Sequence, residues 1–166
     1  EILTKIAKAE AAAERARVQV LNAQKDIEKN QKRKVFASDK LKDAEFLGQD
    51  ATLCLVEGLS AASSIAVSRD EKKYGILALR GKMINAFAND EEKFYQNEEV
   101  KLLLSAMNIV PNKYDSKKLR YGKVAILVDA DSDGFSIGLL IMCALYKVAP
   151  QFIEEGRLCW IRSPLY

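Results

Sequence analysis

Four carboxylates stand out by type and spacing: Glu57, followed at once by Gly58, and the aspartates of Asp129-Ala130-Asp131-Ser132-Asp133-Gly134. Alternate residues of an extended segment point to one side, so Asp129 and Asp131 can aim at a common point. Like charges gathered that closely repel one another unless a cation sits among them. The chain has no histidine, and its three cysteines, Cys54, Cys143 and Cys159, are far apart. Hard oxygen donors without imidazole or thiolate suit Mg²⁺, which keeps several waters and bridges to substrate phosphates. The chemistry such an ion serves is charge stabilisation at an in-line phosphoryl displacement, in some sites with a second ion. The missing histidine excludes Ser-His-Asp and Cys-His catalysis from this chain. An Asp-x-Asp-x-Asp-Gly run also opens a calcium EF-hand loop, but that loop needs a bidentate Glu at its twelfth position, which here is Leu140 in an apolar stretch.

The elements around these residues must place them together. Thr52-Leu53-Cys54-Leu55-Val56 is a short continuous apolar run that reads as a strand covered on both faces, and Glu57 leaves its end. Ser60 is placed to cap a helix over 61–68. Residues 75–79 form a second short apolar run, and 97–107 show a helical face of Val100, Leu103, Leu104 and Met107. Val124-Ala125-Ile126-Leu127-Val128 is the clearest strand and delivers Asp129, a long apolar helix follows Gly134 to about Val148, and 158–161 make a last strand. Strands alternating with helices predict an α/β fold, a mainly parallel sheet flanked by helices. In such a sheet ligands bind beyond the carboxyl ends of the strands, where Glu57 and Asp129 stand.

Ahead of this lies one long helix over 1–34, with Ile2, Ile6, Ala9, Ala13, Ala16, Val20, Ala23 and Ile27 in heptad spacing. Its thin, alanine-rich seam predicts packing along another helix, and 35–50 reads as irregular chain. The expected division is a helix and linker over 1–50 and a metal-binding domain over 51–166. The net charge of +3 implies no nucleic-acid partner by itself. Two basic knots, Lys32-Arg33-Lys34 and Lys113, Lys117, Lys118, Arg120 and Lys123, read as solvated faces when taken alone. No apolar stretch approaches the roughly 20 residues that span a bilayer, and the amino end lacks a signal peptide's apolar block, so no membrane is expected and a cytoplasmic location is. The cysteines read as small core residues in a reducing compartment. The chain starts without Met and stops on Ser163-Pro164-Leu165-Tyr166, which reads as a piece of something longer.

Four stretches resemble type IIA DNA topoisomerases. Leu55-Val56-Glu57-Gly58-Leu59-Ser60-Ala61 resembles their Leu-Val-Glu-Gly-Asp-Ser-Ala, and Leu79-Arg80-Gly81-Lys82-Met83-Ile84-Asn85 their Leu-Arg-Gly-Lys-x-Leu-Asn. Lys118-Leu119-Arg120-Tyr121-Gly122-Lys123 is similar to the run before their aspartate strand, and Ser163-Pro164-Leu165-Tyr166 to the stretch after the last one. Primases, recombination mediators and type IA enzymes share the acidic core but not the middle two stretches. The resemblance is to the Toprim part of the gyrase B-type, ATPase-bearing subunit, in wording that also suits a bacteriophage enzyme.

That resemblance implies a Rossmann-like Toprim domain behind a helix from the transducer region, acting in ATP-dependent transient double-strand cleavage and religation. It implies Glu57, Asp129 and Asp131 as catalytic and metal-binding, with Glu57 acting toward the 3′ oxygen, and Asp133 as a further metal ligand or orienter. Lys82, Asn85, Arg80 and Arg120 would contact DNA. Mg²⁺ is the implied cofactor, with Mn²⁺ or Ca²⁺ able to substitute in binding, and ATP would bind on a domain outside this segment. The implied partners are double-stranded DNA and a gyrase A-like protein that carries the nucleophilic tyrosine, in a heterotetramer. No tyrosine here matches that nucleophile's motif. The family's Asp after Glu-Gly is Leu59 here, and its Ser-His after Asp-Gly is Phe135-Ser136. A metal nuclease of the same fold, or a scaffold that only binds an ion, are the competing readings.

Overall fold

The computed structural model describes residues 2–32, 39–80 and 82–161. Its sheet has five strands in the order β1-β3-β2-β4-β5: β1 (Leu41–Lys42), β2 (Gly48–Glu57), β3 (Tyr74–Leu79), β4 (Tyr121–Leu127) and β5 (Leu158–Ile161). β3, β2, β4 and β5 run parallel, and only the two-residue β1 pairs antiparallel, on β3. The fold is therefore α/β with a mainly parallel sheet, as the alternation of elements predicted.

Alternation along the strands divides the core. Leu53, Leu55, Leu77, Leu79, Val124 and Ile126 point to one face, into a large cluster with α3 (Glu91–Gln96), α4 (Glu98–Met107) and α5 (Ser132–Val148). Cys54, Val56, Ile76, Ala78 and Ala125 point to the other, where α2 (Gly58–Ser68) covers them with Ala62 and Ile65. Burial on both faces is why these strands read as continuous apolar runs rather than alternating ones.

Several boundaries differ from the sequence reading. β2 begins at Gly48, inside the stretch expected to be irregular, and β1 lies there too; Gly48 and Gln49 pair weakly in pattern but gain partners from Arg120, Ser116 and Arg157. α2 starts directly at Gly58, so Ser60 lies inside the helix and does not cap it. β4 starts three residues earlier than expected. α5 starts two residues before Gly134, because Asp131 caps it. α3 and α6 (Pro150–Glu154) are short helices with too few turns to show a period. Cys54 is a core residue, but Cys159 is exposed, because β5 is an edge strand whose outer face α2 does not reach.

The helix α1 (Ile2–Lys32) is 31 residues long, about 46 Å at 1.5 Å per residue. It lies against α3 and α4, as the thin seam predicted, but only over its later turns. Val20 is 9% exposed and the buried Gln24 donates from Nε2 to the Pro111 carbonyl at 2.6 Å, while Ile6 is 48% exposed. Arg33 and Lys34 of the first basic knot, the side chains of Lys32, Ala23 and Ile27, and the stretch 163–166 lie outside what the structure describes. Among the described residues no helix is long and apolar enough to cross a membrane.

Candidate metal and DNA site

Three parallel strands end side by side at one edge of the sheet. Glu57 is the last residue of the central strand β2, in register with Leu79 of β3, while Val56 is level with Leu127 of β4. Neighbouring strands lie about 4.8 Å apart, so Glu57 stands between the exits that carry Arg80 and Asp129. Gly58 takes φ +78°, a value side-chain-bearing residues rarely adopt, and turns the chain into α2. The Glu57 side chain makes no capping bond to that helix and stays exposed.

Beyond β4 the acidic run has a different task for each member. Asp131 caps α5, its Oδ1 accepting from the Gly134 amide at 2.7 Å. A Cβ at Gly134 would sit 2.2 Å from the Asp129 carbonyl oxygen, so only glycine lets the helix start this close to the strand end. Asp133 lies in the first turn of α5, where a negative charge is favoured by the helix dipole. Its Oδ1 accepts from Lys82 Nζ at 2.7 Å. That hydrogen bond, then the charge of Asp133 itself and more weakly of Glu57 and Asp131, hold the Lys82 ammonium above its ordinary pKa. One lysine thus stands in the field of three of the four carboxylates. Asp129 and Asp131 line a small hollow of about 40 Å³ with Val128, Ala130, Phe135 and Trp160.

Among the described residues, no three acidic, cysteine or histidine side chains converge as a ready-made ion cage. Asp131 is turned into its cap and Asp133 toward Lys82, which relieves the repulsion that four bare carboxylates would suffer. Mg²⁺ does not need a full protein cage; one or two carboxylates, waters and substrate phosphates complete its octahedron. The donor set fits such an ion: exposed carboxylates alone, with Asp131 keeping its second oxygen outside the cap bond.

The basic and polar residues singled out in the sequence divide by place. Lys82 and Arg80 are at the carboxyl edge, and Arg80 borders a hollow of about 400 Å³ that Leu59 also lines. Asn85 lies on the same segment as Lys82, but its Oδ1 is committed to the amides of Phe87 and Ala88, at 3.0 and 3.1 Å. Arg120 is not brought to this site. It precedes β4, roughly 30 Å along the strand from Asp129 at about 3.3 Å per residue, and its Nη2 binds Asp43 Oδ2 at 2.5 Å. The rest of its motif is structural as well. Leu119 is buried, Tyr121 donates to Asp43 Oδ1 at 2.6 Å and accepts from the Ala44 amide, and a Cβ at Gly122 would meet the Gln49 carbonyl at 2.0 Å.

Two features here have no counterpart in the sequence reading. Phe135, noted there only as a departure, packs on Trp160 with ring centroids 5.4 Å apart beside Asp129 and Asp131. Lys147, at the far end of α5, donates to the Ala86 carbonyl next to Asn85. The signal for the first was a lone tryptophan at a strand end; for the second there was none beyond a basic residue in a helix's last turn.

The Toprim domain family matches residues 52–161. The DNA gyrase B subunit of Eisenibacter elegans is 42% identical over 120 residues, 69% of this chain and 25% of that protein. The DNA gyrase B subunit of Thermotoga maritima is 33% identical over 170 residues, 99% of this chain and 26% of that protein. The solved structure of the Plasmodium falciparum topoisomerase II DNA-binding, cleavage and re-ligation domain superposes with a TM-score of 0.70 and 31% identity, over 79% of this chain and 19% of that one. The chain thus spans about a quarter or less of the length of each of these proteins.

Proposed function

Since the chain belongs to the Toprim domain family, we propose that it is the metal-binding part of the ATPase-bearing subunit of a type IIA DNA topoisomerase. Within that enzyme residues 51–166 form the Toprim domain, and 1–50 the helix and linker from the transducer region. What supports this reading is that Glu57 and the Asp129–Asp133 run leave neighbouring parallel strands at the same end of the sheet, with Lys82 in the field of Glu57, Asp131 and Asp133, in a chain whose relatives are gyrase B subunits.

In the proposed reaction a tyrosine from a gyrase A-like partner attacks a DNA phosphate and the 3′ oxygen leaves. The tyrosine's phenolic proton passes to solvent, Glu57 in its carboxylic acid form gives a proton to the departing 3′ oxygen, and religation runs both transfers in reverse. Asp129 and Asp131 would hold Mg²⁺, with Asp133 as a helper and Glu57 joining them as a ligand when it is ionised. When bound, the ion supplies charge stabilisation at the displaced oxygens. Lys82, bound to Asp133, and Arg80 bring positive charge to the phosphates flanking the break, contacts that orient without reading sequence. Asn85 sets the turn that follows Lys82.

The test combines the full-length protein, its tyrosine-bearing partner, supercoiled DNA and Mg²⁺. Covalent cleavage complexes that vanish in Glu57→Gln and Asp129→Ala are expected. Unchanged cleavage by both variants would overturn the proposal, and free, unreligated ends would replace it with a metal nuclease of the same fold.

A further inference from the structure

The segment that carries Lys82 and Asn85 lies along α5 and is tied to it at both ends. At the helix's amino end, Lys82 binds Asp133. At its carboxyl end, Lys147 Nζ donates to the Ala86 carbonyl at 2.7 Å. Asp133 and Lys147 are about 21 Å apart along a helix rising 1.5 Å per residue. Four residues from Lys82 to Ala86 reach at most about 14 Å, and the two long lysine stems supply the rest. Between the ties, Met83 and Ala86 are buried, so the segment is seated on the core rather than hanging from it.

The Lys147 contact is built more firmly than a surface ion pair. Its ammonium lies 4.9 Å from the centre of the Phe94 ring, which is fully buried, and the lysine itself is half-buried. A cation over an aromatic face with a carbonyl oxygen as its acceptor has little reason to move. The carbonyl it holds belongs to the first residue of the turn that Asn85 organises: Asn85 Oδ1 accepts from the Phe87 and Ala88 amides, and Asn89 Nδ2 donates back to the Asn85 carbonyl at 3.0 Å.

We propose that Lys147 is a positioning residue: from the far end of α5 it fixes the Asn85 turn, and so sets where Lys82 meets the carboxylates at the near end. The functional half of this rests on Lys82 acting at the DNA, as argued above; the structural half does not.

The test uses hydrogen exchange in the full-length protein, read at the Phe87 and Ala88 amides. Lys147→Met keeps the stem over Phe94 and removes the ammonium; the two amides should exchange about tenfold faster, the scale of one lost charge-assisted hydrogen bond, and Lys147→Arg should restore them. Amides of Leu55 and Ile126 report whether the core is intact, and Lys147→Gln serves if the methionine variant is unstable. With the tyrosine-bearing partner and supercoiled DNA, Lys147→Met should cleave less. It should keep the wild-type salt dependence of DNA binding, since Lys147 touches no phosphate, whereas Lys82→Ala should flatten it. Unchanged exchange at Phe87 and Ala88 in Lys147→Met overturns the proposal, and so does faster exchange with full cleavage. If Lys82→Ala itself cleaves normally, the DNA-facing role of the segment has failed instead, and the exchange data still decide whether Lys147 holds the turn.

Discussion

Gly134→Ala should separate the carboxylates without removing any of them. The new Cβ would lie 2.2 Å from the Asp129 carbonyl oxygen and 3.0 Å from its amide nitrogen and carbonyl carbon. Carbon–oxygen contacts settle near about 3.3 Å, so the start of α5 and the end of β4 must part by about 1 Å. The obstacle is backbone, so no side-chain rotation relieves it. Asp129 and the Asp131 cap sit on opposite sides of the widened gap. Overpacking costs about 1–3 kcal/mol, offset by up to about 1 kcal/mol from alanine's helix preference. A net loss of about 1–2 kcal/mol lowers the Tm of a domain this size by about 2–8 °C. The site suffers more, because geometry must hold within about 0.5 Å and a misplacement of 1 Å can cost about a hundredfold in rate. Cleavage by the full enzyme should therefore fall about a hundredfold at temperatures where the variant is folded. A Mg²⁺ titration of this chain followed by the emission of Trp160, its only tryptophan, should shift to higher concentration. Gly156→Ala is the control: Gly156 resists a side chain for a different reason, its φ of +68°, and a Cβ there would touch nothing in the site. It should lose stability yet keep cleavage. If Gly134→Ala cleaves within about threefold of wild type, the close approach at Asp129 does not set the site.

Asp131 has two separable tasks: Asp131→Asn keeps an acceptor for the Gly134 amide and should retain stability to within a few tenths of a kcal/mol while losing the Mg²⁺ response, whereas Asp131→Ala should lose about 1 kcal/mol as well. Equal stability losses in thermal denaturation would refute the cap, and a normal Mg²⁺ titration in the asparagine variant would remove Asp131 from the ligands. Alkali should unfold the protein through its buried phenols. Burial pushes Tyr95 up to about 12, and burial plus the bond to Asp43 pushes Tyr121 well above its ordinary value of 10.0. Raised acids favour the protonated fold, so their contribution is complete below pH about 10 and is lost as pH rises through the folded-state values. Each costs about 1.4 kcal/mol per pH unit over that window, and urea denaturation at pH 8, 10 and 11 should show the decline. Tyr114, raised to about 12 by desolvation and its bond to Glu155, shares in the slope though less buried, so Tyr121→Phe should lower it by about a third to a half, and a flat profile between pH 10 and 11 would sink the argument.

What the sequence made legible followed from long, two-sided burial and from local charge. Leu53 to Val56 and Val124 to Leu127 are apolar because helices cover both faces of the sheet, so strand type and the carboxyl-edge position of Glu57 and Asp129 could be read directly. The hidden parts depend on side chains meeting across long separations. The Asp131 cap on the Gly134 amide is local, three residues on, but nothing near Asp133 announces that it binds a lysine 51 residues away. The start of β2 was masked for the same reason: Gln49 is held by Arg157, 108 residues on. Asn85 shows the limit most clearly, since an exposed asparagine looks ready for a ligand until its oxygen is seen to hold two amides of its own turn.

Arg120 shows why a motif that identifies a family need not lie at its site. The stretch before β1 starts beside the carboxyl end of β3, where Lys40 accepts from the Ala78 amide through its carbonyl and pairs with Glu99 at 2.5 Å. It then runs back along β3 to the opposite edge, where Asp43 takes both Arg120 and the Tyr121 hydroxyl. A buried carboxylate-bound tyrosine and a glycine without room for a Cβ tolerate little change, because each loss leaves a buried polar group unpaired or a backbone displaced. Such residues mark the architecture that fastens β1 and the start of β2 to the rest of the sheet. Glu57, Asp129 and Lys82 are placed differently: they are exposed, at strand ends or just beyond them, and none of their side chains is needed to close a helix or fill the core. The DNA-facing role proposed for Lys82 is supported by its place and its charged neighbours, whereas for Arg120 the same basic side chain at the other edge supports a structural role.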